Sequence, residues 1–231
     1  MDSIKDIIDQ FSPISLEEMD SVKLLNRTDT KYVLSKFQLI EILNDISTDY
    51  SILEIENTRL NSYKTLYFDT SDKRFYLNHH NGKPNRYKVR MRKYVDSNLC
   101  FLEVKYKSKG RTDKKRKKIK DFKFELSSKN NDLIEGIFKE SMDLKPVLWN
   151  SFSRITLVNK KEKERLTLDL NLGFESFTEK GKEAHLDFLV IAEVKQENIN
   201  RNSIFVKKAK AMGIRSSSMS KYCVGMALLN E

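Results

Sequence analysis

The stretch RYKVRMRKY (86–94), with FLEVKYK (101–107) behind it, decides the fold. Side chains alternate between faces along a strand, so Lys88, Arg90 and Arg92 share one surface while Val89 and Met91 share the other. In the second segment Glu103, Lys105 and Lys107 lie opposite Leu102, Val104 and Tyr106. The same period-two split groups Lys114, Arg116 and Lys118, Arg154 with Thr156, Arg165 with Thr167 and Asp169, and Glu193 with Lys195. Working outward, strands are expected over 26–34, 62–69, 86–95, 99–107, 114–125, 152–159, 164–173 and 187–196. Short helices are expected over 15–25, opened by Ser15 with Glu18, and over 35–47, opened by Ser35 with Gln38. The second carries Phe37, Ile40, Leu43 and Ile46 on one stripe, and further helices fit 131–141 and a run from a Ser203 cap to a Gly213 stop. That set gives an α+β chain dominated by an antiparallel β-barrel tunnel, closed or nearly closed, with helices clad on its wall.

With 231 residues, 39% of them hydrophobic, the chain can bury one sizeable core, and its three prolines and seven glycines form no linker. One domain over 1–231 is therefore expected. The 43 Lys and Arg residues exceed the 33 Asp and Glu by 10, which favours an anionic partner: nucleic acid, an acidic membrane surface or a phosphate compound. Cys100 and Cys223 stand far apart and outside any CxxC spacing, which argues against a disulfide framework or zinc site and for a reducing cytoplasm. The start MDSIKDIIDQ lacks the features of a signal peptide, and no apolar run approaches the roughly 20 residues that span a bilayer, so no direct membrane insertion is expected.

Charged faces of antiparallel strands are commonly solvated outer surfaces. Here, however, Arg and Lys repeat at i and i+2 on several strands, and like charges side by side on a sheet repel. A polyanion lying between them reverses that cost. With helices over the apolar wall, the cationic faces would line a tube of phosphate-binding side chains, Arg as two-point forks and Lys as mobile point charges. Glu103, Asp169 and Glu193 sit among these cations. Each can serve as an ion-pair partner of its neighbours, the role that best suits Glu103, whereas Glu193 is the best candidate to hold the divalent cation that a nucleotide brings.

Several segments resemble, in order, the vacuolar transporter chaperone (VTC) domain, in bacteria often labelled a polyphosphate polymerase domain. They are NRTDTKYVL (26–34), TLYFDT (65–70), HHNGKPNRYKVRMRKY (79–94), FLEVKYKSKGRTDKKR (101–116), SRITLV (153–158), LTLDLNLGF (166–174), LVIAEVKQE (189–197) and MSKYCVG (219–225). The resemblance implies a triphosphate tunnel metalloenzyme (CYTH-like) fold whose lumen holds a phosphate chain. It also implies synthesis of polyphosphate from the terminal phosphate of ATP with Mn2+ or Mg2+. Carried over position by position, Lys31, Arg90, Arg92, Lys105 and Lys221 would be the catalytic lining. Lys114, Arg116, Arg154, Arg165 and Lys195 would bind phosphate, and Glu193 would hold the metal. The chain departs from the pattern at Ser218, where eukaryotic members have a second lysine, and at Met219, where a phenylalanine is usual.

No GxxxxGK[ST] loop occurs, so side chains rather than a glycine-rich loop would hold phosphate. Phosphoryl transfer would then proceed by positioning and charge neutralisation without a covalent protein intermediate. Two alternatives stay open, hydrolysis of triphosphate or a nucleoside triphosphate on the same fold and non-catalytic polyphosphate sensing. The basic run KYKSKGRTDKKRKKIKDFK with Tyr106 and Phe122 lacks aromatic platforms beside the other arginines, so ATP and inorganic polyphosphate or triphosphate, and not nucleic acid, are the expected partners. His79 and His80 read as loop or surface residues, and Tyr32, Tyr67 and Tyr222 as wall packing.

Overall fold

The computed structural model describes residues 4–21, 27–108, 111–127, 132–138 and 142–230. In chain order the elements are α1 (Ile4–Ile8), β1 (Ser12–Ile14), α2 (Leu16–Ser21), β2 (Thr28–Ser35), α3 (Lys36–Ile46), β3 (Tyr50–Leu53), β4 (Asn61–Asp69), α4 (Arg74–His80), β5 (Arg86–Tyr94) and β6 (Leu99–Ser108). There follow β7 (Arg111–Ile119), β8 (Leu126–Ser127), α5 (Asp132–Glu135), β9 (Asp143–Asn159), β10 (Glu164–Ser176), β11 (Glu183–Leu186), β12 (Leu189–Gln196), α6 (Ile204–Ala211), β13 (Ser216–Ser217) and α7 (Lys221–Leu228). Contacts divide them into two compact units, 1–61 with 152–172 and 186–219, and 62–151 with 173–185 and 220–231.

In the first unit the paired strands run β13-β2-β12-β10-β9, antiparallel where the register is defined, with β3 antiparallel to β9 and β1 parallel to β3. Tyr32 and Leu34 of β2, Leu166, Leu168 and Leu170 of β10, and Val190, Ala192 and Val194 of β12 all turn to one face. That face is covered by Ile7 and Ile8 of α1, Leu39, Ile42, Leu43 and Ile46 of α3, and Phe205 and Ala209 of α6. The helices thus clad the apolar wall, as the strand alternation requires. Their ends follow the sequence signals. Ser35 and Gln38 form a reciprocal capping box, and Ser15 and Glu18 bond in the same way ahead of α2. Past α6, Gly213 takes φ +71 while its N–H bonds Lys210 O and that of Ile214 bonds Ala209 O, the paired closure that needs a residue without Cβ strain.

In the second unit the order is β9-β4-β5-β6-β7, with β5 antiparallel to both β4 and β6 and β6 antiparallel to β7. Leu66, Phe68, Val89, Met91, Leu102 and Val104 are buried on the apolar side. Asp69, at the end of β4, accepts hydrogen bonds from the backbone N–H groups of Phe75 and Tyr76, so α4 starts against a buried carboxylate; the Tyr222 hydroxyl donates to the same group. Gly225 lets α7 sit close, because a Cβ there would meet Phe174 at 2.5 Å and Leu148 at 2.7 Å.

The antiparallel, sheet-dominated architecture with flanking helices is the one expected, and within neither unit do the described strands close into a ring. Boundaries moved in places. The strand expected at 114–125 is β7, which ends at Ile119; the helix expected at 131–141 is the short α5, its remainder partly outside the described residues, as are 22–26. The strand expected at 152–159 is the second half of β9, whose first half was hidden by Pro146 and Asn150 at inward positions.

Candidate phosphate-binding site

On the charged face of the first unit, cross-strand register builds two rows. Lys31, Glu193 and Thr167 stand opposite one another on β2, β12 and β10, and Asp29, Lys195 and Arg165 form the row beside them. Glu193 accepts a hydrogen bond from Lys195 and an ion pair from Lys31 at 3.3 Å, while the Lys195 ammonium also reaches Thr167 Oγ1 at 3.4 Å. Arg154 binds Asp169 through two bonds, Nε to Oδ1 at 2.5 Å and Nη2 to Oδ2 at 2.9 Å. Lys195, Thr167 and Asp169 are buried, so this face is no solvated exterior. Burial alone would raise the Glu193 pKa, but the charges of Lys195 and Lys31, the Lys195 hydrogen bond and the charge of Arg154 hold it well below the carboxylate range. Burial pushes Lys195 down to about 8 against the opposing pull of Glu193.

The second unit repeats the theme on β5, β6 and β7. Lys88, Lys105 and Lys114 lie directly opposite one another in one row; Arg90, Glu103 and Arg116 make the next, and Arg92, Phe101 and Lys118 the third. Glu103, with 2% of its side chain exposed, takes Arg90 at 2.7 Å and a short contact from Lys114. Its burial opposes ionisation, yet Arg90, Arg92 and Lys114 hold its pKa well below the usual range. Arg92 is buried against Thr65, 3.3 Å from its Oγ1, and Arg116 lies over the Phe101 ring at 5.1 Å. Lys105 and Arg116 are exposed and Lys114 nearly so in half, so this face opens to solvent.

The structure therefore gathers Lys31, Arg154, Arg165, Lys195 and Glu193 on one strand face and Arg90, Arg92, Lys105, Lys114 and Arg116 on another. Lys221 is the first residue of α7, which Ser220 caps. Lys88 belongs with the second group and was legible in the same alternation as Arg90; its ammonium donates to Ser220 Oγ at 3.0 Å. His79 and His80 are in the last turn of α4 rather than in a loop, and His80 is exposed at the surface. Tyr32, Tyr67 and Tyr222 are packed as expected, the first against Phe205 and the other two stacked at 5.0 Å.

A family model, the VTC domain, matches residues 26–230. The chain belongs to the VTC domain family. No curated protein matches it. Among solved structures, a candidate adenylyl cyclase from Hippeastrum, HpAC1, described as having a dominant triphosphatase activity, is similar at 17% identity and TM-score 0.52, over 86% of this chain and 94% of that one. A candidate adenylate cyclase from Bacillus halodurans is similar at 13% identity and TM-score 0.51, over 84% and 94%. At these identities the likeness establishes the fold: this VTC domain has the antiparallel architecture of the triphosphate tunnel class. No described helix is long and apolar enough to cross a membrane.

Donors for a divalent cation are sparse in this VTC domain. Among the described residues no group of three His, Cys, Asp or Glu converges, so a cage made of protein alone does not fit. A cation held by one carboxylate, with phosphate oxygens and water completing its shell, does fit Glu193, whose lysine partners have phosphate as an alternative anion.

Proposed function

We propose that this VTC domain is a phosphotransferase that extends inorganic polyphosphate with the terminal phosphate of ATP. What supports it, within that family, is the pair of strand faces on which Lys and Arg gather around a few carboxylates, Glu193 and Asp169 on one and Glu103 on the other. Lys31, Arg154, Arg165 and Lys195 are read as phosphate contacts on the first face, and Arg90, Arg92, Lys105, Lys114 and Arg116 on the second; Lys221 is read as a further contact at the start of α7. Each charged hydrogen bond to a phosphate oxygen contributes about 1.5–3 kcal/mol. Arginine forks orient the phosphates, and lysines can follow them as charge shifts from the attacking oxygen of the chain end to the departing ADP. A divalent cation, Mn2+ or Mg2+, would be held by Glu193 and would supply charge neutralisation on the reacting phosphates. The free Cys100 and Cys223 support a reducing, cytoplasmic setting.

Hydrolysis of triphosphate is the second reading, supported by the triphosphatase activity described for the Hippeastrum structure. Incubating the purified protein with ATP and manganese and resolving the products on a polyphosphate gel separates the two. A ladder longer than the substrate supports synthesis; release of orthophosphate without a ladder supports hydrolysis. Filter binding in which RNA or DNA outcompetes polyphosphate at physiological salt would overturn the choice of ligand.

A further inference from the structure

On the apolar side of the second unit, a groove of about 590 Å3 runs over β6 and β7. Register sets Tyr87, Tyr106 and Asp113 directly opposite one another on β5, β6 and β7, with Lys115 opposite Val104 in the next row. All five line the groove. Their sequence neighbours Lys88, Lys105 and Lys114 point to the other side of the sheet, so the cationic face has no part in it. The facing wall is the chain just after α5, a helix packed on β7, where Ile137 and Phe138 stand. The Tyr87 and Tyr106 rings are stacked, with 4.3 Å between centroids and 17° between planes. That separation is close to the roughly 4.8 Å between paired strands, so the ring planes stand across the direction from strand to strand. One face of Tyr106 is covered by Tyr87, and the other turns toward β7. There the row continues with a short aspartate and no ring. A flat ring standing over β7 would continue the stack, its edge resting on Asp113. Asp113 and Lys115 are exposed, and neither side chain makes an ion pair or hydrogen bond among the described residues.

We propose that this groove binds the guanine base of a nucleoside or nucleotide. Its volume is that of a small-molecule site, and stacking on tyrosine favours every base alike. Asp113 supplies the choice. An ionised carboxylate only accepts hydrogen bonds, and it accepts best from two donors side by side. Guanine alone among the common bases presents that pair on its pairing edge, a ring N–H beside an amino group. Adenine and cytosine set an amino group beside a ring-nitrogen lone pair, and uracil sets one N–H between two carbonyls. Each of these turns an acceptor toward the carboxylate and is disfavoured. Lys115, two residues along the same face of β7, meets the 5′-phosphate of a nucleotide with its mobile ammonium.

The test is calorimetric titration of the whole chain with 5′-GMP and 5′-AMP, comparing wild type with Asp113→Asn and Tyr106→Leu. Both nucleotides carry the same phosphate, so the cationic face contributes equally to each and their difference reports the base. Wild type should bind GMP about tenfold more tightly than AMP, the discrimination of one good two-point contact. Asp113→Asn should erase that preference, because the amide turns a donor toward guanine, while tripolyphosphate affinity stays that of wild type. The exposed position of Asp113 leaves the fold of that variant intact. Tyr106→Leu should weaken both nucleotides together. Equal affinities in wild type, a preference that survives Asp113→Asn, or no binding of either nucleotide overturns the proposal. Should Tyr106→Leu not fold, saturation transfer from tyrosine ring protons to bound GMP reads the same stack in wild type, and its absence overturns the proposal. Failure of tripolyphosphate to bind sinks the phosphate reading alone.

Discussion

Replacing Glu193 with Gln separates the electrostatics of the proposed site from the chemistry proposed for it. The amide keeps the size of the side chain but leaves Lys195, of which 8% of the side chain is exposed, beside Arg154 without its principal anion. Lys195 can shed its proton instead. From a pKa of about 8 that costs about 1.4 kcal/mol at pH 7, and the lost pair with the part-exposed Lys31 adds under about 1 kcal/mol. A total of roughly 1–3 kcal/mol lowers Tm by roughly 2–10 °C in a chain of this size. Metal-free tripolyphosphate binding moves the other way. A carboxylate about 5 Å from a phosphate charge repels it by about 3 kcal/mol at an effective dielectric near 20; recharging Lys195 takes part of that back, so affinity should rise, by at most about a hundredfold. Melting curves, calorimetry in EDTA and manganese-dependent ATP turnover on one preparation read all three quantities. An unchanged Tm with unchanged metal-free affinity refutes the coupling of Lys31, Glu193 and Lys195; a destabilised variant with full manganese-dependent turnover refutes Glu193 as the metal's carboxylate.

Arg90→Ala should weaken tripolyphosphate binding by about 1.5–3 kcal/mol while circular dichroism stays that of wild type, because Glu103 retains Lys114; wild-type affinity would remove Arg90 from the site. Glu103 and Glu193 both have folded pKa values below the ordinary 4.5, so their stabilisation is complete above pH 4.5 and lost as pH falls below it, and Tm should drop between pH 4.5 and 3. His79, depressed to about 3 from 6.5, begins that loss earlier, since the unfolded chain takes up its proton first; a Tm constant from pH 7 to 3 contradicts both assignments. Gly225→Ala forces Phe174 and Leu148 to move from a new Cβ and should cost about 1–3 kcal/mol, so a variant melting at or above wild type would show that α7 shifts freely.

Those parts of the fold governed by local rules were legible in the sequence. The alternation in RYKVRMRKY set Arg90 and Arg92 on one face, and the caps Ser35 and Ser203 placed α3 and α6 correctly. What stayed hidden depended on partners distant in the chain. The first half of β9 buries Pro146 and Asn150, residues that argue against a strand until Asn150 Nδ2 is seen bonding Gly173 O at 2.9 Å. Helix α4 follows Lys73, which takes a left-handed conformation and makes no side-chain cap; Thr70 Oγ1 accepts the Arg74 N–H, and Asp69 of the preceding strand supplies the acceptors for Phe75 and Tyr76. Helix α7 does carry a local signal, the Ser220 cap, which places Lys221 at its first position.

Register, which the sequence could not supply, explains how the cationic faces stay folded without a ligand. Three lysines directly opposed across β5, β6 and β7 should repel, yet the adjacent row places Glu103 between Arg90 and Arg116, and Glu103 also draws Lys114 toward itself. The first unit solves the same problem with Glu193 between Lys31 and Lys195. The carboxylates, Glu103 on one face and Glu193, Asp169 and Asp29 on the other, offset the repulsion without matching the cations in number, so each face keeps an excess of positive charge. Adding a further acid to either face, for instance at Lys105 or Thr167, would satisfy the lysines internally and, on the proposed function, weaken the binding of a phosphate chain. On that reading the acids of each face would set the affinity of the proposed site as much as the cations do.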